Sequence, residues 1–303
     1  MTKVQIRKGK VKEVYGIDDR TLEFVFSDNI SVFDKVIPSS IPHKGETLCR
    51  TAQHWFRILD SKGIKGHFLE YIPPNRMMVK RFEIIEDYDK INTKTTNYLI
   101  PLEIICRHYA AGSLMDRIRS GKITAEMLGF PKGHDVKYGE KLPRPYLETT
   151  TKLEEHDREL GEEEAKRIAG LTDEDYDNIL ETVLAIDMII GKEAENRGLI
   201  HVDGKKEFGY DENRRLVVID TFGTCDEDRW WDLDAYREGK VVELSKEFVR
   251  SHYRETGYHD ELTAIRSKGL PEPPIPALPE DVIKRTSDLY VSMFERITGE
   301  KFR

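Results

Sequence analysis

Cysteine is scarce in this chain of 303 residues: there are three, Cys49, Cys106 and Cys225, far apart and odd in number. They show neither the spacing of a zinc site nor the plan of a disulfide framework, so a reducing compartment is the expected setting. No apolar run approaches the roughly 20 residues needed to cross a bilayer, which argues against a membrane role. The stretch Met1 to Lys8 contains no apolar core of the kind a secretory leader needs, and a cytoplasmic location is expected. An excess of positive charge is missing too. The formal net charge is −8, which argues against broad nucleic-acid binding but leaves room for a local basic pocket that takes small anions. Internal repeats and long low-complexity tracts are absent.

What is present suits a soluble globular protein: 38% hydrophobic and 34% charged residues, enough to bury a core in one large domain or two lobes. Residues 1–97 read mainly as strands, with β-type runs at Val11–Tyr15, Thr21–Phe26, Phe68–Ile72 and Met77–Ile85. A helix over Thr47–Leu59 carries Trp55 and Phe56 on its apolar side. The polar run Glu86–Asn97 reads as a loop or insertion between lobes, so residues 1–97 and 98–303 are the expected units. A long helix is predicted from Asp173 to Arg197, with Thr172 as cap, Asp175 three residues on and Gly198 as stop. Its stripe is Ile179, Val183, Ile186 and Ile190. A hairpin, Leu199–Phe208 with Leu216–Asp220, follows. The Pro271–Pro279 segment is an extended tether to a last helix, Glu280–Ile297.

Four clusters carry candidate chemistry. In Leu99–Ser113 an apolar run ends at Arg107, and Ala111, Gly112 and Ser113 follow. A guanidinium fork and a small-residue turn can converge on one phosphate. A buried strand, an ion-paired arginine and an ordinary turn fit the same residues. Lys8, Lys10 and Lys12 beside Gly9 can neutralise polyphosphate, or form a solvated edge. Asp28, Ser31 and Asp34 are either a binding loop or an Asp/Ser turn. In a strand, His201, Asp203, Lys205 and Glu207 share a face. With Asp220 ending the next strand, Glu207 and Asp220 can hold magnesium, which favours one or two carboxylates plus phosphate and water oxygens. A solvated charged strand is the alternative. His156 is either a general base or a structural histidine.

These motifs together resemble the SAICAR synthetase family, and the resemblance spans nearly the whole chain. Pro101, Glu103, Arg107, Ala111, Gly112 and Ser113 match its first signature, and Asp203 to Gly209 its second. Gly9, Lys10, Lys12 and Tyr15 match an element over ATP phosphates. Asp28, Ser31 and Asp34 fall in a Ser-Asp-Arg-Ile-Ser-Ala-Phe-Asp-like loop. Lys152, His156 and Asp157 resemble a Thr-Lys…His-Asp stretch, and Asp226 and Arg229 a Pro-Asp-x-x-Arg pattern. The sequence departs from the family at Asn29, Arg50, His201, Lys206, Thr221 and Cys225. His201 and Lys206 stand where aliphatic or aromatic residues are usual; Lys206, if buried, should reach an acid.

The resemblance implies a two-lobed α+β fold with ATP between the lobes. It also implies ligation of L-aspartate to the carboxylate of carboxyaminoimidazole ribotide, giving SAICAR, ADP and phosphate in purine biosynthesis. By the same resemblance, Lys8, Lys10, Lys12 and Lys80 hold the nucleotide, Glu207 and Asp220 hold Mg2+, and Lys205 and Asp203 are catalytic. Asp28, Ser31, Asp34, Arg107, Gly112, Ser113, Asp226 and Arg229 bind substrates. Its partners are small molecules, with room for a homodimer. The alternatives are a homologous ligase for another imidazole, acid or amine, and a related small-molecule kinase.

Overall fold

Alternating apolar residues place three consecutive strands, β1 (Val4–Lys8), β2 (Lys12–Gly16) and β3 (Thr21–Phe26), in an antiparallel meander. The computed structural model describes residues 3–303. A small hairpin follows, β4 (Asn29–Val32) with β5 (Lys35–Ser40). Phe33 and Asp34 between them have φ of 51° and 64°, so the Asp28–Asp34 stretch is a strand and a tight turn rather than an open loop. Helix α1 (Lys44–Ser61) starts earlier than its apolar periodicity suggests, because Asp28 Oδ1 accepts from the Gly45 N–H at 2.8 Å. β6 (Phe68–Ile72) and β7 (Arg76–Lys80) complete a five-stranded sheet in the order β1-β2-β3-β7-β6. The run expected as a strand to Ile85 leaves the sheet after Lys80, where the Arg81 N–H turns to the Arg20 carbonyl.

The second sheet is built on two long strands, β8 (Tyr98–Tyr109) and β10 (Leu199–Tyr210). Between them lie α2 (Ser113–Arg119), β9 (Lys141–Thr151), α3 (Glu162–Ala169) and α4 (Asp173–Glu195). The capping box of α4 forms as the sequence suggests, Thr172 with Asp175. β9 was not foreseen: Pro143 and Pro145 argue against a strand but are compatible with its place at the sheet edge. β11 (Leu216–Ile219) and β12 (Asp228–Asp232) pair with opposite halves of β10, on the edge away from β8. Helices α5 (Leu233–Arg237), α6 (Glu247–Glu255) and α7 (Tyr258–Arg266), the extended proline segment and α8 (Glu280–Thr298) follow.

One face of the second sheet is covered by α4, whose Ile179, Val183, Ile186 and Ile190 are buried, and is apolar apart from one buried group of charged side chains. α8 packs on α1. A single buried cluster runs from Phe24 and Trp55 through Ile104 to Tyr290 and so joins both sheets. The sheets also meet through backbone bonds, His67 N–H to the Val218 carbonyl and Val218 N–H to the Lys65 carbonyl, both 2.9 Å. That seam places β2 and β3 beside the end of β11, where the polar residues gather. No helix among the described residues is long and apolar enough to cross a membrane.

Candidate active site

The face of the second sheet opposite α4 is polar. Pairing of β8 with β10 sets Arg107 beside Asp203 and Glu103 beside Glu207. Period-two alternation then puts Asp203, Lys205 and Glu207 on one face with Glu103 and Arg107. His201 was expected on that face and is not there. A register shift between His201 and Asp203 turns its ring to the α4 side, where Nε2 meets Asp228 at 2.6 Å.

At one end of this face, carboxylates and lysines interleave. Lys205 Nζ donates to Glu103 at 2.7 Å and lies 3.2 Å from Glu207 and 3.6 Å from Glu227. Lys152, just past β9, pairs with Glu207 and lies 3.8 Å from Glu103 and 3.9 Å from Asp220. Lys12 reaches across from β2 to pair with Asp220. Asp220 itself sits at φ 58°, a left-handed conformation that aspartate tolerates. Three ammonium groups thus face four carboxylates. Burial works against the charge of Glu207 and Asp220, yet Lys152 and Lys205 hold the first below its ordinary range and Lys12 and Lys152 hold the second. Glu103 relieves the imbalance by keeping its proton: burial, then Glu207, pushes its carboxyl up to about 8. Carboxylate oxygens are the donors magnesium favours, and Glu207 and Asp220, both held ionised, could hold such an ion.

At the other end lies an arginine pair. Asp203 sits between the guanidinium groups: Arg107 Nη1 donates to it at 3.1 Å, and Arg229 Nη1 pairs with the same oxygen. Arg107 also donates to Ser113 Oγ at 3.3 Å and pairs through Nε with Glu148, which Arg117 shares. Arg229 Nη2 is 3.4 Å from Glu247. Arg229 Nε is buried and has no hydrogen-bond partner among the described residues. Gly112, at φ 55°, lets that guanidinium lie against the backbone, where a Cβ would collide with it.

Asp226 lies in the turn between these ends. It accepts from Lys44 Nζ at 2.8 Å and Tyr290 Oη at 2.6 Å, with Lys246 at 3.9 Å. Burial opposes its charge, but Lys246 and Lys44 keep it ionised well below the usual carboxylate range.

The remaining sequence-derived residues are more scattered. Lys10 pairs with Asp34 at 3.1 Å, Lys8 lies 3.8 Å from Glu13, and Lys80 pairs with Glu212 at 2.5 Å. Asp28 caps α1, and Ser31 is half-buried in β4. His156 and Asp157 are exposed. Among the departures, Asn29 is exposed, Cys225 and Thr221 are buried, and Arg50 is held by Glu46 and Glu300. Sequence reasoning assigned no role to Glu103, Lys152, Glu148, Glu227 or Glu247. Glu103 was legible: it precedes Arg107 by four residues in one strand and therefore shares its face.

A family model for SAICAR synthetase matches residues 5–265. A phosphoribosylaminoimidazole-succinocarboxamide synthase of Thermoplasma acidophilum is 52% identical over 297 residues, covering 98% of this chain and 99% of that protein. Among solved structures, the SAICAR synthase of Saccharomyces cerevisiae complexed with SAICAR superposes with a TM-score of 0.74 at 25% identity, covering 99% of this chain and 96% of that one. A SAICAR synthetase in complex with ADP gives 0.71 at 25% identity, covering 98% and 99%. Sequence motifs, full-length relatives and a shared α+β architecture agree, and the chain belongs to the SAICAR synthetase family of ligases.

Proposed function

We propose that the protein uses ATP to join L-aspartate to the carboxylate of carboxyaminoimidazole ribotide, releasing ADP and phosphate. The observation that carries this reading is the alternation of Asp203, Lys205 and Glu207 on one face of β10, next to Arg107 and Glu103 of β8. At ~3.3 Å per residue, the arginine pair and the carboxylate pair are about 13 Å apart. A ribotide has its phosphate at one end and its reactive carboxylate at the other. The arginines, with Ser113, take the phosphate; the lysine–carboxylate end receives the carboxylate and the nucleotide.

A carboxylate resists amine attack because oxide would have to leave. Transfer of the terminal phosphoryl group of ATP to a carboxylate oxygen makes phosphate the leaving group instead. The neutral amine nitrogen of aspartate then attacks the carbonyl carbon, phosphate departs, and the nitrogen gives up one proton and keeps the other as the amide N–H. Bound magnesium supplies charge neutralisation on the nucleotide phosphates. Glu207 and Asp220 would hold it. Lys205, tied to Glu103 and Glu207, meets the carboxylate as it is phosphorylated, and Lys12 and Lys152 offset charge on the moving phosphoryl group. Asp203 orients both arginines. Asp226 has used two acceptor sites on Lys44 and Tyr290 and keeps others for the ribotide amine.

Lys12, which spans from the first sheet to Asp220 beside the second, supports a nucleotide seated between units 1–97 and 98–303. Lys8, Lys10 and Lys80 lie on that first unit and approach the nucleotide from the same side. Asp28, Ser31 and Asp34 stand on its hairpin and address the amino acid. Isotope transfer tests the chemistry. Ribotide labelled with 18O in its carboxylate should deliver one label into the phosphate released. Phosphate without label would exclude phosphorylation at that carboxylate.

A further inference from the structure

Two of this chain's departures from the family pattern, His201 and Lys206, converge on one buried carboxylate. Asp228 Oδ2 meets His201 Nε2 at 2.6 Å and Lys206 Nζ at 3.3 Å. Since a carboxylate only accepts, the Nε2 of His201 carries the donated hydrogen. Lys206 also pairs with Asp187 of α4, and Asp187 meets His108 at 3.0 Å. The side chains of Lys206, Asp187 and Asp228 have no solvent exposure at all. The group lies on the α4 side of β10, across the sheet from Asp203, Lys205 and Glu207. Room for it comes from Gly204, where a Cβ would collide with the Asp228 carboxylate and approach Lys206 Nζ to 2.7 Å.

The other oxygen of Asp228 faces the turn that carries the chemistry. Oδ1 accepts from the Gly223 N–H at 2.8 Å, and the Asp228 N–H donates to the Thr224 carbonyl at 2.9 Å. Gly223 is held from its other side by Trp55 Nε1, which donates to its carbonyl at 2.9 Å. Gly223 lies midway between Asp220 and Asp226, and Arg229 follows Asp228 directly. Asp228 is therefore the internal brace of the segment that presents all three.

We propose that Lys206 is a positioning residue: by fixing the Asp228 carboxylate from beneath the sheet, it sets the spacing between Asp220, which holds the metal, and Asp226 and Arg229, which hold the ribotide. Burying an ammonium between two carboxylates is poor evidence for stability in itself, since a well-packed apolar group often serves as well. Its directional contacts give what an apolar side chain does not, one orientation for Asp228 and so one shape for the turn. The cation is local: Cys106, His108 and Asp187 are close enough to share a metal ion, but the Lys206 ammonium already neutralises Asp187.

This proposal rests on the ligase reading, and the two fail differently. If the wild-type protein forms no aspartate-dependent product, the ligase reading falls. The positioning role is tested on Lys206→Met and on Lys206→Met with Asp187→Leu, which removes one charge of each sign and leaves Asp228 to His201 and Gly223. Binding of Mn2+ in the presence of ADP is followed by electron paramagnetic resonance, well below each variant's melting temperature. The half-saturating Mn2+ concentration should rise at least tenfold, and KM for the ribotide should rise with it. A folded variant with a lowered melting temperature but unchanged Mn2+ binding and ribotide KM would overturn the proposal and leave Lys206 merely structural. Amide exchange in the unsubstituted protein gives a readout that needs no variant. The Gly223 N–H should exchange as slowly as the amides of β11, and fast exchange there would equally overturn it.

Discussion

Replacing Arg107 by lysine separates charge from geometry at the arginine pair. Arg107 spreads three directed contacts over Asp203, Ser113 and Glu148. A single ammonium cannot reproduce that fork. The surroundings limit collateral damage. Asp203 keeps Arg229 and Glu148 keeps Arg117, so neither buried carboxylate is left without a cation. On the proposed reading, what the substitution removes is one charge-assisted contact to the ribotide phosphate. Losing a charge-assisted hydrogen bond removes about 1.5–3 kcal/mol, or roughly 10- to 150-fold in an equilibrium or specificity constant. Steady-state kinetics with the ribotide varied at saturating ATP and aspartate should show that fall in kcat/KM. KM for ATP should stay within about threefold, because the end of β10 proposed to receive the nucleotide is the far one. A main effect on ATP, with ribotide use intact, would refute the assignment of the two ends.

Glu207→Ala and Asp220→Ala should each lower turnover by at least ~10²-fold, the scale on which a positioned electrostatic group acts, with near-UV circular dichroism unchanged; normal activity with unaltered magnesium dependence would sink the pair as metal holders. Lys44→Met removes the closest cation from the buried Asp226 but leaves Lys246, and should destabilise the fold by about 1.5–3 kcal/mol in urea unfolding, most of it recovered when Asp226→Asn is added. His67 packs between Phe24 and Phe56, and burial holds its pKa down to about 4. The unfolded chain takes up this proton first, so the stability His67 contributes is complete above pH 6.5 and drains as pH falls toward 4. The loss is about 3 kcal/mol. In urea melts at pH 7 and pH 4, His67→Gln should lose about that much less than the unsubstituted protein; equal losses would contradict a buried neutral imidazole.

Much of this arrangement was legible in the sequence because it is local. The α4 capping box, the β10–β11 hairpin and the alternation of Asp203, Lys205 and Glu207 each follow from spacing over a few residues. The demand that Lys206 reach an acid was legible too, from desolvation alone, and Asp187 and Asp228 meet it. Features set by distant packing were hidden. The register shift that turns His201 away from Asp203 depends on β12, a strand whose adjacent Trp230 and Trp231 leave it without alternation. Lys12 and Lys152 join the carboxylate cluster only because β2 and the end of β9 come together across more than a hundred residues of chain. Glu148 was out of reach because its strand carries two prolines.

The reaction joins one carboxylate and one amine at the expense of one ATP. The direct measurement is the mass of the product made by purified protein from ATP, magnesium and carboxyaminoimidazole ribotide, with and without L-aspartate. With aspartate, the ribotide should become a species heavier by one aspartate less one water, matched mole for mole by ADP and phosphate. A phosphorylated ribotide as the final product even with aspartate present, or efficient coupling of glutamate, asparagine or ammonia with aspartate nearly inert, would contradict it.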